Sequence, residues 1–131
     1  MRLVIDASAA VYVAASEAGF AALEHHELVA PPLVRSEATS AIHQAVFRGQ
    51  ASSELANGTF QALLSAPIHT DPMAGLLERA WKIADDLGWA KTYDAEYVAL
   101  AQLLDCGLLT VDARLVRGAG HLVRIVDPAD V

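Results

Sequence analysis

The stretch "LVIDASAA" at residues 3–10 decides the fold, because it places a buried strand directly before a carboxylate. Its three consecutive branched apolar residues predict a strand over 2–6 that is buried on both faces. The small residues that follow predict a helix over 8–19. A carboxylate is costly at the end of a buried strand unless it has a partner. Asp6 therefore either caps the next helix or lies in a site together with other acids.

Short apolar segments alternate with helical segments along the rest of the chain. In the last long helix, Thr92 is predicted as the N-cap and Gly107 as the stop. The alternation predicts a single α/β domain over residues 1–131, with a mostly parallel sheet of four or five short strands flanked by helices. Further strands are predicted at 27–30, 68–70, 108–111 and 121–126, and further helical segments at 20–26, 31–47, 52–65, 71–87, 91–107 and shortly after Asp112.

The composition excludes several classes of function. The chain has 131 residues and a formal net charge of −7, with 16 acidic residues against 9 Lys and Arg, which argues against nucleic-acid binding by bulk positive charge. The single cysteine excludes an internal disulfide framework and a zinc site built on several cysteines. No apolar run reaches the roughly 20 residues of a membrane span, so we expect no membrane segment, no signal peptide and a cytoplasmic location.

Four acids are predicted to meet at one edge of the sheet. Asp6 directly follows the first strand, and Asp112 directly follows the fourth. Asp94 lies in the first turn of the helix that leads into the fourth strand, and Glu37 lies near the start of the helix after the second strand. Because active sites of parallel sheets lie at the carboxyl ends of the strands, all four side chains are expected there.

Each of these acids also has a purely structural interpretation. Asp6 and Asp112 are suitable helix N-caps, and Asp94 in a first helical turn complements the helix dipole. Glu37 shares a stripe with core residues and would need a partner such as Arg35. Four unrelated helix caps would not be expected to lie at one edge of the sheet, so their common position favours a functional site. Carboxylates clustered in such a site repel one another unless a cation lies between them. Hard cations such as Mg²⁺ and Mn²⁺ prefer oxygen ligands, and such a site can activate water for attack on a phosphodiester.

With these residues in view, the sequence resembles the PIN-domain ribonucleases, and within them the VapC toxins of type II toxin–antitoxin modules. The resemblance covers essentially the whole chain, and its most specific part is the segment around Asp94. It rests on "VIDASAA" at the N-terminus, "PPLVRSEATSAI" around Glu37, "TYDAEYVALA" around Asp94 and "LLTVDARL" around Asp112. It implies an endoribonuclease that depends on Mg²⁺ or Mn²⁺, is inhibited by a VapB-type antitoxin and forms a homodimer.

The resemblance also implies roles for the four acids. Asp6, Glu37, Asp94 and Asp112 correspond to the acidic quartet of the family. Asp6 and Asp94 are then the direct metal ligands, while Glu37 and Asp112 complete the metal shell or orient water.

Two hydroxyl residues match the family pattern, and one position departs from it. Ser8 and Thr110 correspond to small hydroxyl residues that support the site from behind the metal ligands. Many PIN proteins outside the toxins carry a further acid shortly after the fourth, but here Ala113 and Arg114 follow. This departure puts a fully occupied second metal position in doubt.

Other side chains near the acids keep two interpretations. Arg114, Arg117 and Lys91 are candidates for contacts with RNA phosphates, or they are ordinary solvated cations. Glu96 is either a neighbour of the acidic site or an exposed helix charge. Core or interface packing is expected, in preference to base stacking, for the aromatic residues Trp81, Trp89, Tyr93 and Tyr97.

Two other classes of function compete with the nuclease. One is a receiver-like signalling domain that binds Mg²⁺ and accepts a phosphoryl group, but "VIDAS" lacks the paired acids of such domains. The other is a PIN-like module that binds RNA or an antitoxin with little or no catalysis. The complete set of four acids favours the nuclease over both.

Overall fold

The N-terminal strand forms the centre of the sheet in the computed structural model, which describes all residues 1–131. This strand, β1, spans Arg2–Ile5, and its last three residues are completely buried. Burial on both faces explains why the strand is a continuous apolar run rather than an alternating pattern.

Five parallel strands make up the sheet, in the order β3-β2-β1-β4-β5. β2 (Glu27–Ala30) and β3 (Ile68–Thr70) lie on one side of β1. β4 (Gly107–Leu109) and β5 (Ile125–Val126) lie on the other side. The strand order therefore reverses between β1 and β4, which are neighbours in the sheet. The carboxyl ends of these two strands border the crevice where such sheets bind ligands.

The helices form two packed groups. The first comprises α1 (Ala7–Ala15), α2 (Val34–Phe47) and α3 (Ser53–Leu64). The second comprises α4 (Leu76–Leu87) and α5 (Tyr93–Leu104). The first group lies on crossovers that run from β1 to β2 to β3, and the second lies on the crossover that runs back from β3 to β4. Because crossovers between parallel strands are right-handed, these opposite directions along the sheet place the two groups on opposite faces.

The remaining elements are short. Helix α6 spans Ala113–Ala119, and 3-10 turns occupy Gly19–Leu23 and Pro128–Asp130. Helix α5 contacts β1 and β4 and is the most deeply buried helix, with Val98 and Leu100 fully inaccessible. This packing fixes the start of α5 close to the carboxyl edge of the sheet.

The predicted α/β fold with a parallel sheet is confirmed, but several boundaries were wrong. Helix α4 begins at Leu76 rather than after Pro72, because Gly75 has a φ of +83°, which is outside the helical region. Helix α5 ends at Leu104, and Asp105 rather than Gly107 takes the left-handed position, with a φ of +50°.

Gly107 instead opens β4. A Cβ atom at this position would lie 2.8 Å from Nη2 of Arg124 and 3.1 Å from Cγ2 of Val126, so a larger residue here would require the flexible end of Arg124 to move. The last strand is much shorter than the predicted 121–126, since only Ile125–Val126 pair with β4. None of the helices combines the length and the apolar character that crossing a bilayer would require.

Candidate active site

The structure brings the four acids to the carboxyl edge of the sheet from four separate segments. Asp6 directly follows β1, Glu37 lies in the first turn of α2, and Asp94 lies in the first turn of α5. Asp112 was expected directly after a strand, but β4 ends at Leu109 and two residues intervene. Asp112 is instead the N-cap of α6.

Asp6 is held by hydrogen bonds to both of its carboxylate oxygens. Oδ1 accepts from Oγ of Ser8 at 2.7 Å and from the backbone N–H of Ala9 at 2.8 Å, and Oδ2 accepts from Oγ1 of Thr110. The bond from Ala9 makes Asp6 the N-cap of α1. Capping and membership of the acidic site are therefore compatible for Asp6, which is only 4% exposed.

Ser8 and Thr110 tie the ends of β1 and β4 together. Their hydroxyl oxygens lie 3.3 Å apart. Ser8 accepts from the backbone N–H of Val111 at 3.2 Å, and Thr110 accepts from that of Asp112 at 3.1 Å. These bonds set the path of the chain from β4 into α6 and so determine where Asp112 stands relative to Asp6.

Asp112 caps α6 and has a cation beside it. Its Oδ1 accepts from the backbone N–H groups of Arg114 at 2.9 Å and Leu115 at 3.4 Å. Nε of Arg114 lies 3.8 Å from the same oxygen. All of these contacts are made to one oxygen of Asp112. Asp94, by contrast, makes no side-chain hydrogen bond or ion pair, so both of its oxygens are available to a ligand.

Glu37 is positioned by a tyrosine that sequence reasoning assigned to the core or an interface. The hydroxyl of Tyr97 donates to Oε1 of Glu37 at 2.6 Å, and Tyr97 itself is 1% exposed. Arg35, the partner expected for Glu37, donates instead to the backbone carbonyls of Ala66 and Ile68. One signal pointed to Tyr97: it lies three residues after Asp94 on α5, so both residues occupy one side of the helix.

Burial first, and then a neighbouring carboxylate, raises the pKa values of Asp6 and Asp94. Burial raises the pKa of Asp6 above its usual range, and the carboxylate of Asp112 raises it further, whereas the hydrogen bonds to Asp6 oppose this rise. Burial likewise raises the pKa of Asp94, Asp112 adds to the rise, and Arg114 opposes it. Asp112 therefore lies within electrostatic range of both Asp6 and Asp94.

Glu37 and Glu96 extend this set. Burial raises the pKa of Glu37, and Asp94 adds to the rise while the hydrogen bond from Tyr97 opposes it. The pKa of Glu96 is also raised, first by burial and then by the charge of Glu37. Glu96 is thus a partly buried neighbour of the acidic site rather than a fully exposed helix charge.

Two of the three candidate cations lie beside the acids. Lys91 and Arg114 line a cleft of about 630 Å³ whose wall also contains Glu37 and Asp94. Arg117 lies near the end of α6 and is not part of the lining of this cleft. Of the basic residues proposed for RNA contacts, Lys91 and Arg114 are the ones whose placement is suitable.

The donor set fits a hard divalent cation in its chemistry. Oxygen ligands from several carboxylates are what Mg²⁺ and Mn²⁺ prefer. The pKa values of Asp6, Glu37 and Asp94 are raised first by burial and then by a neighbouring carboxylate, and Arg114 opposes the rise at Asp94. No group of three or more His, Cys, Asp or Glu side chains is positioned to hold a metal ion. Joint binding by several of these carboxylates therefore requires side chains to rotate toward the ion.

Comparison with known proteins identifies the family. A model of the PIN domain matches residues 3–120, which include all four acids. The chain belongs to the PIN-domain family. Membership of the PIN-domain family excludes the other fold considered above, a receiver-like signalling domain.

Relatives within the PIN family narrow the assignment. The chain is 35% identical over 114 residues to ribonuclease VapC9 of Mycobacterium tuberculosis. The aligned region covers 86% of this chain and 87% of that protein. The chain therefore belongs to the VapC group of PIN domains, as the sequence motifs indicated.

Two solved structures share the fold. PAE2754 from Pyrobaculum aerophilum has a TM-score of 0.74 and 22% identity, over 98% of this chain and 90% of that one. VapBC2 from Rickettsia felis, solved bound to a DNA fragment from the promoter, has a TM-score of 0.67 and 13% identity, over 97% of this chain and 98% of that one. At these identities the likeness supports the PIN fold alone.

Proposed function

We propose that this chain is a Mg²⁺- or Mn²⁺-dependent endoribonuclease that hydrolyses RNA phosphodiester bonds as the toxin of a toxin–antitoxin module. The observation that carries the proposal is the convergence of Asp6, Glu37, Asp94 and Asp112 at one sheet edge. The convergence occurs in a chain whose relatives are named VapC ribonucleases. Ribonuclease activity is what the names of those relatives state, and for this chain we propose it.

The four acids have different environments and therefore different tasks. Asp94, with both oxygens free, and Asp6, held in place by Ser8 and Thr110, are the proposed direct ligands. A divalent cation bound there would lower the pKa of water and offset charge on the phosphodiester. Asp112 completes the ligand set with the oxygen that does not cap α6.

Glu37 is proposed to complete the ligand set or to orient water. Its Oε1 is held by Tyr97, so the second oxygen has a defined direction. Because burial raises its pKa, Glu37 is also more able to accept a proton than an exposed glutamate. Lys91 and Arg114 are proposed to contact RNA phosphates on either side of the scissile bond.

The activity is tested on the purified chain, free of any antitoxin. Total RNA is incubated with the protein and Mg²⁺, Mn²⁺ or EDTA, and the new RNA ends are mapped. We expect cleavage at defined positions with either metal and none with EDTA. Cleavage that persists in EDTA would contradict the metal dependence, and RNA binding without cleavage would identify a binding module instead.

The proposed partners are a VapB-type antitoxin and a second copy of this chain. Membership of the VapC group supports the antitoxin, and a small reading frame directly upstream whose product co-purifies with this chain is the expected finding. For the homodimer, the first helix offers Tyr12, which is 49% exposed, whereas Val13 is buried in the core. Sedimentation equilibrium should give twice the 13.9 kDa chain mass, and a monomer at all concentrations would contradict the dimer.

A further inference from the structure

The cleft beside the acids has features that phosphodiester cleavage alone does not require. The loop between α4 and α5, the start of α5 and the start of α6 border it. Its volume of about 630 Å³ is within the range of small-molecule sites and exceeds what one metal ion and one phosphate need. The cleft thus has room for a neighbouring part of the substrate.

Two aromatic side chains line this cleft. Tyr93 is 54% exposed, so of the two predicted positions it does not occupy the core. Trp89 is partly buried, and its indole packs against α6 so closely that a Cβ atom on Gly118 would lie 2.8 Å from its Cζ2. Trp89 is therefore a fixed part of the wall, whereas the ring of Tyr93 is free to accept a flat ligand.

Positive charge occurs in the same cleft. Lys91 and Arg114 line it together with Asp94 in a chain of net charge −7. Phosphates are bound by cations, while unpaired bases are bound by stacking on aromatic faces. An exposed aromatic ring and two cations beside a set of carboxylates match the alternating chemistry of single-stranded RNA.

We propose that this cleft binds a nucleobase of single-stranded RNA next to the scissile phosphate, with Tyr93 as the stacking surface and Lys91 and Arg114 on the flanking phosphates. The inference rests on the proposed ribonuclease function, to which it adds a base-binding subsite. A base in a duplex is already stacked on its neighbours, so the subsite selects unpaired RNA.

The test measures RNA binding rather than cleavage. Short fluorescein-labelled oligo(U) and oligo(A) are titrated with the full chain in Mg²⁺, in an Asp6→Asn background that prevents turnover. We expect Tyr93→Ala to weaken binding by about 5- to 100-fold, because stacking on an aromatic ring contributes that much per base, and Tyr93→Phe to retain most of the affinity. The matched control is Trp81→Ala, which removes a 71% exposed ring from α4 and should leave binding unchanged.

Two further probes separate stacking from a general change in the surface. The first probe is a ribose–phosphate chain of the same length without bases, and the second is an RNA duplex. Each should bind equally well to the protein with and without the Tyr93→Ala substitution. The inference is overturned if Tyr93→Ala and Trp81→Ala bind alike, if the abasic chain shows the same loss, or if the protein with Tyr93 intact binds none of these RNAs.

A parallel cleavage assay without the Asp6→Asn change keeps this inference distinct from the proposed function. Cleavage by the unsubstituted chain together with RNA binding that does not depend on Tyr93 would overturn the subsite and leave the ribonuclease. Base binding that depends on Tyr93 in a chain that never cleaves would remove the ribonuclease and leave a base-binding site.

Discussion

Among the individual residues, Asp6 and Asp112 each combine a helix cap with a place in the acidic site. Asp6 caps α1 through Ala9 and is also held by Thr110 from the neighbouring strand, and Asp112 caps α6 through one oxygen. Caps at the carboxyl ends of adjacent parallel strands point into the same crevice. One side chain can therefore serve both as the cap and as the proposed metal ligand, which is why the sequence could not separate the two interpretations.

The hydroxyl of Tyr97 is predicted to position Glu37 for catalysis. Tyr97→Phe removes a bond to a carboxylate, and such bonds contribute about 1.5–3 kcal/mol. We expect kcat for RNA cleavage to fall roughly 10- to 100-fold with little change in KM, and the free energy of unfolding to fall by about 1 kcal/mol. Cleavage kinetics and urea unfolding measure the two effects.

The control for this prediction is Trp81→Phe, which alters a 71% exposed ring on α4 and should change neither quantity. Glu37→Gln should lower kcat as well, and the double variant with Tyr97→Phe should be less impaired than the sum of the two losses, since both act through one contact. An unchanged kcat in folded Tyr97→Phe would show that Tyr97 only fills the core.

Asp6 is predicted to make the stability of the metal-free protein fall as the pH rises. Its folded pKa is raised above 3.8, so between 3.8 and the raised value the folded state keeps a proton that the unfolded state has lost. The free energy of unfolding then falls with pH across this window, by at most about 1.4 kcal/mol per pH unit, and the fall ends above the folded pKa.

The measurement is urea unfolding in EDTA across this pH range. Asp6→Asn keeps an N-cap side chain but cannot titrate, so the difference in stability between it and the unsubstituted chain isolates Asp6. Parallel pH profiles for the two proteins would contradict the raised pKa.

The acidic site was largely predictable because strand ends and helix starts are visible in the sequence. Asp6, Glu37, Asp94 and Asp112 follow from a parallel sheet and from the family motifs, which fix sequence positions. The bond between Tyr97 and Glu37 was not predictable, because it joins residues 60 positions apart on helices of different groups, α2 and α5, whose first turns meet only through the tertiary fold. The exposure of Tyr93 likewise depends on how α5 meets its neighbours.

At the scale of the elements, glycines decide where several helices end. Gly49 follows the end of α2 with a φ of +72°, and its N–H donates to the carbonyl of Val46. Gly58 lies within α3 and has no such φ, and nothing lies within 4 Å of a Cβ built at either position. The two glycines therefore differ in backbone conformation and not in available space.

This contrast predicts opposite effects of the same substitution. Gly49→Ala should lower the free energy of unfolding by about 1–2 kcal/mol, because an L-residue is strained at that φ. Gly58→Ala should raise it by about 1 kcal/mol, because alanine favours the interior of a helix. Urea unfolding of both variants provides the measurement, and a change of the same sign in both would contradict the explanation.

Helix boundaries were the least predictable part of the elements. Pro72 suggested a helix start, but the left-handed Gly75 delays α4 until Leu76. Gly107 suggested a helix stop, but it is the first residue of β4. A glycine in the sequence is compatible with a turn, with a close approach or with neither, as at Gly58, and only the tertiary structure reveals which.

In the whole molecule, the parallel sheet gathers residues that are far apart in the chain. The strand order places β1 and β4 side by side, so Asp6 and Asp112 meet although more than a hundred residues separate them. The two helix groups then bring Glu37 and Asp94 to the same edge. An acidic chain can act on RNA only if this concentrated charge is offset locally, which is the reason that a divalent metal is central to the proposal.

The most direct test of that claim is the single-turnover rate of RNA cleavage as Mg²⁺ is titrated, compared between the unsubstituted chain and Asp94→Asn. Asp86→Asn, on the exposed side of α4, is the matched control. We predict a saturable Mg²⁺ dependence in the unsubstituted chain and in Asp86→Asn, and a loss of at least about 100-fold in folded Asp94→Asn. Equal rates in Asp94→Asn and Asp86→Asn, or a rate that does not depend on Mg²⁺, would contradict the account.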